Sequence, residues 1–387
     1  MNILFVSDVY LPTVSGVASS TDSIVRFMAA QGHTVTLVCP KPLGEYVPPP
    51  LAGLEIRYTP GVSDALFVNK SMTLFPLGFS VLRRAFSGKK FDIVHIQEPG
   101  SLGITALMLA KIFRVPVVGA QHFSWSQVEK VAPAYIRWIS VPFMKLYVRI
   151  IYSMFDAIMV PTRTAATDLS KLIGRAGSIH PVSNGVDTDV FVPRSGQITS
   201  LRATYRLPKT VPVFLYIGRL DADKNIETIL RGVKRAVSPM HLVIAGVGRQ
   251  KERLHAMAES LALTNITWMD EVKKQTIIDL YQLADAFVIM SPVETQSIVA
   301  LQALACGLPL IAARAGALPE LVNGKNGVLV DTLDVKTLAS TLDTIATDEA
   351  LRKRMGSESR KISLLHHKPT VLKELETLYK NTIHHHI

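Results

Sequence analysis

Short runs of β-branched and aliphatic residues alternate along the chain with longer stretches whose apolar positions recur every three or four residues. The short runs predict strands covered on both faces, and the longer ones predict helices lying between them. In the first half, strands are expected at Asn2–Val9, Thr34–Val38, Ile93–His95, Val115–Ala120, Ala157–Val160 and Ser178–Val182. Helices fit Ser20–Gln31, Leu102–Ile112, Ala134–Phe155 and Thr164–Ile173. The pattern starts afresh at Val211-Pro-Val-Phe-Leu-Tyr-Ile217, with a helix at Ile226–Ala236. Strands are expected beyond it at His241–Ile244, Ile266–Met269, Ala286–Met290, Leu308–Ala312 and Val328–Val330. Strand-first alternation is the signature of parallel sheets flanked by helices. Two such series predict an α/β protein of two doubly wound, Rossmann-like domains facing a cleft. The first domain is expected over residues 1–190 and the second over 191–365, with a terminal helix in 366–387 able to cross back to the first. The joint falls in Phe191–Pro208, where Pro193, Ser195 and Gly196 interrupt the pattern. Sheets of this kind bind ligands beyond the carboxyl ends of their strands.

The longest uncharged run, between Glu294 and Arg314, is broken by Gly307-Leu308-Pro309 and reads as a buried helix, a turn and a strand instead of a membrane span. The opening Met1-Asn2-Ile3-Leu4-Phe5-Val6 has no basic leader region and reads as a buried strand. Of 387 residues 48% are hydrophobic and 19% charged, which excludes a mainly disordered chain. Cys39 and Cys306 are too few for a disulfide scaffold, so a reducing compartment is expected. The net charge of +11 favours anionic partners. Ten basic residues against three acidic ones fall between Arg83 and Arg149, beside Leu74-Phe-Pro-Leu-Gly-Phe79 and Tyr135–Tyr147. On a helix, Lys130, Arg137, Lys145 and Arg149 would share about a third of the wheel, with Pro142 as a potential break. Such a face suits an anionic membrane surface; the rival reading is a core helix with a solvated basic edge. No nucleic-acid module accompanies the charge, so nucleic acid is not expected as a partner.

Candidate chemistry gathers after strand ends. Gly16 precedes a helix, whose first N–H groups suit a phosphate, although an ordinary strand-to-helix turn reads the same way. Tyr216-Ile-Gly-Arg-Leu-Asp-Ala-Asp-Lys-Asn225 sets Gly218, Arg219 and Lys224 beyond a strand, a fork and a point charge for a diphosphate. Gly246, in Ala245-Gly-Val-Gly-Arg249, allows a second close backbone approach. Glu294 in Ser291-Pro-Val-Glu294-Thr-Gln-Ser-Ile298 stands before a helix and can accept from sugar hydroxyls, with N–H donors around Gln296, Ser297 and Ile298 for phosphate. The bland reading makes Glu294 or Thr295 a helix cap.

Taken in order, Gly218-Arg-Leu, Lys224-Asn, Ala245-Gly-Val-Gly and Ser291-Pro-Val-Glu294 with Gln302 and Ala305-Cys-Gly-Leu-Pro309 resemble the family 4 retaining glycosyltransferases of GT-B fold. Tyr10-Leu-Pro with Ser15-Gly16-Val17, Phe91-Asp-Ile-Val-His95, Val160-Pro-Thr162 and Ser183-Asn-Gly-Val-Asp187 extend the resemblance over essentially the whole chain. The Glu294-Thr-Gln form and the start of the chain are most similar to bacterial diacylglycerol glucosyltransferases. The resemblance implies that Gly16 lies against the donor diphosphate, that Arg219 and Lys224 balance the leaving group, and that Glu294 holds the donor hexose. It further implies that the amides of Gln296, Ser297 and Ile298 complete the phosphate site and that His122 stands near the reacting sugar. Two positions depart from the family. Gln302 replaces a glutamate that receives ribose hydroxyls, and its amide accepts without charge and adds a donor. Gln97 stands where a second histidine is common. Asp187-Thr-Asp189 and Asp221-Ala-Asp223 have a metal-like spacing, but both fall in stretches resembling a metal-independent family, and no metal or cofactor is expected. The implied activity moves glucose from UDP-glucose to a lipid such as diacylglycerol, on the cytoplasmic face of the membrane. Alternatives are a phosphatidylinositol or soluble sugar acceptor, or nucleotide binding without turnover. The final Ile383-His-His-His-Ile387 reads as a tag remnant or a frayed end.

Overall fold

The computed structural model describes residues 1–13, 15–63, 71–74, 76–122, 137–193, 196, 198–270 and 272–386. Lys130, Ser195 and Phe75 therefore lie outside the described residues. The chain divides into two units, Met1–Ser183 with Pro369–Ile387, and Asn184–Lys368.

In the first unit the strands are β1 (Asn2–Val6), β2 (Thr34–Pro40), β3 (Leu54–Thr59), a short antiparallel pair β4 (Val62–Ser63) and β5 (Ser71–Met72), β6 (Ile93–Ile96), β7 (Val117–Ala120), β8 (Ala157–Val160) and β9 (Ile179–Pro181). Seven of them form one parallel sheet in the order β3-β2-β1-β6-β7-β8-β9. Side chains alternate across a strand. Leu4, Val6, Val94 and Ile96 thus pack on one face with Leu82, Leu102, Val148 and Leu169, from four helices. Ile3, Phe5 and Ile93 pack on the other face with Ile24, Val25 and Met28 of the helix Gly16–Ala30 and with Leu375 and Tyr379 of the terminal helix Lys368–His386.

β1 stops at Val6, short of the expected Val9. Ser7 Oγ donates to Val9 O at 2.7 Å, and the Asp8 carboxylate accepts from Leu102 N at 2.9 Å and Gly103 N at 3.2 Å. Asp8 thus caps the helix Ser101–Ile112, whose own N-cap is Gly100 and offers no side chain. The helix Arg137–Ser153 runs through Pro142. The carbonyl that loses its partner there is one turn earlier, at the exposed Trp138, where water can serve it.

The second unit carries β10 (Val213–Ile217), β11 (His241–Ala245), β12 (Ile266–Met269), β13 (Ala286–Ile289), β14 (Leu310–Ala313) and β15 (Gly327–Val330), parallel in the order β12-β11-β10-β13-β14-β15. In both sheets the order reverses beside the first strand, the position at which such folds open a ligand crevice. The uncharged run resolves into the helix Ile298–Ala305, a turn at Gly307 (φ +72°) and β14. No described helix is long and apolar enough to cross a membrane.

The division between units falls at Ser183–Asn184, ahead of the 190/191 boundary and of Phe191–Pro208. The breakers there do not mark the joint because the preceding segment is already tied into the second unit. Val186 N donates to His366 O at 2.8 Å and Lys368 N to Val186 O at 3.0 Å. Arg360 donates to the carbonyls of Thr188 and Phe191, both at 2.9 Å.

Candidate functional site

The chemistry of the second unit is built on two glycine turns. After β10, Gly218 (φ +158°) donates its N–H to Ala245 O at 3.0 Å; after β11, Gly246 (φ +144°) donates to Met269 O at 2.8 Å. A Cβ on Gly246 would overlap the carbonyl oxygen of Gly218, and one on Gly218 would stand 2.8 Å from the Tyr216 hydroxyl. Both positions therefore need the hydrogen that only glycine offers.

The chain then makes a 3-10 turn, Ala222–Lys224, closed by Asn225 at φ +52°. The Asn225 amide donates to Met290 O at 3.2 Å and Thr332 O at 2.7 Å, which fixes the turn against the ends of β13 and β15. This places Lys224 Nζ 2.8 Å from Glu294 Oε1, with the two side chains only 15% and 12% exposed. Glu294 is pinned from behind. Ala317 N donates to its carbonyl at 2.9 Å, and a Cβ on Gly316 (φ +56°) would lie 2.7 Å from both its N and its O. Gly316 went unremarked in the sequence; its signal was a glycine three residues beyond the end of β14, in Ala315-Gly-Ala317, a looser form of the punctuation at Gly218 and Gly246.

Arg219 is 62% exposed, and its guanidinium meets Asp221 and, at 3.2 Å, Asp223 Oδ2. Asp221 also accepts from Arg249 N at 3.0 Å, and Asp223 Oδ2 lies 3.4 Å from Lys224 Nζ. The Asp-x-Asp spacing at 221–223 is thus the counter-ion set of Arg219 and Lys224. Arg219 is the exposed member of this set, whereas Asp221 and Asp223 are only 19% and 21% exposed. The other spacing is a local turn: Asp187 Oδ1 accepts from Asp189 N and Val190 N, both at 3.2 Å. Among the described residues no three His, Cys, Asp or Glu side chains are grouped to hold a metal.

The helix Ile298–Ala305 begins beside Glu294. Its cap is Ser297, whose hydroxyl accepts from Ala300 N at 3.3 Å, so neither Glu294 nor Thr295 plays that part. The first turn of such a helix offers N–H groups that lack an intrahelical acceptor. Gln296 is buried and its Oε1 accepts from Asn184 N at 2.7 Å. Gln302 Oε1 lies 3.1 Å from the buried Tyr281 hydroxyl, which also reaches Val299 O at 3.0 Å.

Gly16 and His122 belong to the first unit. Gly16 opens the helix after β1, with Ser15 as its cap accepting from Ala18 N at 3.0 Å. His122 follows β7 by two residues; its ring Nε2 is enclosed, and desolvation pushes its imidazole down to about 4. It is therefore neutral at physiological pH. Gln97, which stands where a second histidine is common in the family, is fully buried: its Oε1 meets His95 Nε2 at 2.9 Å. His95 Nδ1 meets Tyr379 Oη at 2.7 Å, and the ring stacks on Phe5 at 4.2 Å. Desolvation lowers His95 to about 3.

Comparison with known proteins follows the two halves. Residues 14–190 match the family description "Glycosyltransferase Family 4", and residues 197–362 match "Glycosyl transferases group 1". The chain is 27% identical over 368 residues to the sulfoquinovosyl transferase SQD2 of Arabidopsis thaliana, covering 92% of this chain and 69% of that one. It is 27% identical over 237 residues to a GDP-mannose-dependent alpha-(1-6)-phosphatidylinositol monomannoside mannosyltransferase of Mycolicibacterium smegmatis, covering 58% and 62%. Among solved structures, Anabaena HepE in complex with UDP-glucose superposes with a TM-score of 0.75 at 18% identity, covering 98% and 99% of the two chains.

Proposed function

Given that the chain belongs to the family 4 glycosyltransferases and has their GT-B fold, we propose that it transfers a hexose, glucose above all, from a UDP-sugar to a membrane lipid such as diacylglycerol, with retention at the anomeric carbon. The observation that carries this reading is the Lys224–Glu294 pair at 2.8 Å, set beside the glycine turns and the start of the helix Ile298–Ala305. Glu294 accepts from hydroxyls of the donor sugar. Lys224 neutralises that carboxylate until a diphosphate arrives, and then faces both.

In the transition state the anomeric carbon turns oxocarbenium-like and negative charge grows on the departing diphosphate. Lys224, Arg219 and the N–H groups of Gln296, Ser297 and Ile298 supply charges and dipoles to that growing negative charge, which lowers the barrier. Gly16 lets the backbone approach the diphosphate, Gly218 and Gly246 leave room for the nucleotide, and Gln302 accepts from the ribose. His122, kept neutral by burial, hydrogen-bonds the hexose without repelling the developing cation. The leaving phosphate takes the acceptor proton on the same face, so neither a metal nor a carboxylate nucleophile is required. A lipid acceptor is supported by the phosphatidylinositol-monomannoside relative and by the basic segment 83–149; a UDP donor is supported by the UDP-glucose complex of the fold neighbour. Work at the cytoplasmic face of the membrane, as a peripheral protein, follows from a water-borne donor and a bilayer-borne acceptor.

Purified protein with UDP-glucose and diacylglycerol should release UDP and form an α-glucosyl lipid detectable by mass spectrometry. Glu294→Ala should cut the rate by about a hundredfold or more. Turnover only with phosphatidylinositol, a soluble sugar or GDP-mannose would replace the acceptor or donor named here. A second reading, nucleotide binding without turnover, is favoured by the contact of Gln302 with Tyr281. It is refuted if wild type slowly hydrolyses UDP-glucose and Glu294→Ala does not.

A further inference from the structure

Among the described residues, eleven of the nineteen large hydrophobic side chains that stand exposed fall between Leu74 and Ile150. They are carried largely by three helices, Phe79–Gly88, Ser101–Ile112 and Arg137–Ser153, which pack through their inner sides on the same face of the first unit's sheet. Their outer sides belong to one layer. These three helices contain Arg83, Arg84, Lys111, Arg137, Lys145 and Arg149 and not one acidic residue.

The helix Arg137–Ser153 carries five of the exposed hydrophobic side chains, Trp138, Ile139, Phe143, Leu146 and Ile150. Val141, Val148, Ile151 and Tyr152 fill its buried side. On the opposite side Ile139, Phe143, Leu146 and Ile150 follow at intervals of four, three and four, a continuous stripe more than half exposed at every position, with Phe143 at 68%. Lys145 and Arg149 border that stripe on one side, about a third and a quarter of a turn from its centre given 3.6 residues per turn, with Trp138 (74% exposed) between them on the wheel. A soluble surface seldom leaves such a stripe uncovered, and apolar patches rimmed by one sign of charge mark interaction sites. The neighbouring helix adds Met108 and Ile112, the latter 73% exposed.

We propose that this helix layer docks the protein on an anionic lipid surface, with Ile139, Phe143, Leu146 and Ile150 seated at the boundary of head groups and acyl chains. Lys145 and Arg149 lie against the lipid phosphates. The charge, joined to an apolar stripe, decides the occupant: basic side chains unbroken by a single acid over three helices are attracted to an anionic leaflet, and the stripe beside them needs the acyl chains that such a leaflet offers. Trp138 has the apolar body and polar N–H favoured at that depth. The helix then lies in the plane of the interface instead of crossing it, as expected for an amphipathic face with charged borders. The inference deepens the lipid-acceptor reading and rests on it for its purpose, since it brings the first unit to where a lipid hydroxyl is found; the surface itself is tested without donor or turnover.

The test is co-sedimentation of the full chain with vesicles of phosphatidylcholine alone and of phosphatidylcholine with about a third phosphatidylglycerol. Wild type should partition at least tenfold more onto the anionic vesicles. Ile139→Ser/Phe143→Ser should lose at least tenfold of that binding, and Lys145→Gln/Arg149→Gln should reduce it to the level on neutral vesicles. Unchanged UDP binding and thermal unfolding in these variants establish that they are folded. Wild type remaining in the supernatant with anionic vesicles overturns the proposal, as does undiminished binding by the double serine variant. So does a dimer in solution that Phe143→Ser dissolves while vesicle binding is absent, which would make a second copy the occupant. Vesicle binding that persists while no lipid is ever glucosylated leaves the surface standing and counts against the acceptor reading alone.

Discussion

At the scale of single residues, the central feature is that Glu294 is acidic, only 12% exposed, and backed by glycine. Its carboxylate is paired with Lys224 Nζ at 2.8 Å. Its backbone cannot shift because Gly316 fills the space behind it. Gly316→Ala should therefore act at a distance: the new Cβ meets Glu294 N and O at 2.7 Å, and φ of +56° is unfavourable for alanine. The cost of such strain is about 1–3 kcal/mol. We expect a ten- to hundredfold loss in UDP-glucose turnover with the protein still folded, read from initial rates and a melting curve. Glu294 and Lys224 were legible as charged side chains beside strand ends. That Gly316 supports one of them was not, because a glycine after a strand looks alike whether it faces solvent or another loop.

At the scale of elements, the short helix Ile198–Thr204 shows how a charge can serve assembly. Arg202 is 6% exposed and donates to Leu283 O, Lys209 O and Val211 O, while its Nη2 meets Asp285 Oδ2 at 2.5 Å. Asp285 in turn accepts from Val213 N at 2.7 Å, so one ion pair joins the helix to the starts of β10 and β13. Removing one partner strands the other in the interior, which costs about 3–5 kcal/mol. Arg202→Ala should lower the urea midpoint of the second unit accordingly, with little effect on binding at Glu294 in the protein that remains folded. In the sequence this arginine falls within Phe191–Pro208, the stretch read as the joint, where neither the helix nor its partner shows. The strands it organises were legible, because a run such as Val213–Ile217 is apolar at every position and can only be buried on both sides. β3 and the helix Phe79–Gly88 were missed: the strand is an edge strand in which Glu55 and Arg57 alternate with Leu54, Ile56 and Tyr58, so it lacks the unbroken apolar run of its buried neighbours, and the helix has Arg83 and Arg84 within a short apolar stretch.

At the scale of the whole chain, the terminal helix Lys368–His386 returns to the first unit and brings Tyr379 to His95 in its interior. His95 and His122 both have folded pKa values, about 3 and about 4, below the ordinary imidazole value, and desolvation is the main cause in each. The unfolded chain therefore binds protons that the folded chain refuses. The stability held by each histidine is complete above about pH 6.5 and is lost as the pH falls through the window toward 4, and for His95 toward 3. The slope is about 1.4 kcal/mol per pH unit for each buried imidazole. Denaturant midpoints taken at pH 7 and pH 5 should show the first unit weakening on acidification, and His95→Gln should flatten its share. An unchanged midpoint across that interval would contradict the neutral, buried state of both rings.

What the sequence determined by itself is whatever depends on neighbours along the chain: the two strand-first series, the glycine turns after β10 and β11, and the acidic residue ahead of the helix Ile298–Ala305. Periodicity and turn chemistry are local properties, and buried parallel strands are written as unbroken apolar runs. Tertiary structure alone decided which of these groups meet. It joined Lys224 to Glu294 across seventy positions, gave Arg219 to Asp221 and Asp223, turned Gln97 inward to His95, and left the stripe from Ile139 to Ile150 outside. The physical reason is that hydrogen bonds and ion pairs act over a few ångströms between loops remote in sequence, and a polar side chain reads the same in the sequence whether its partner is protein, ligand or water.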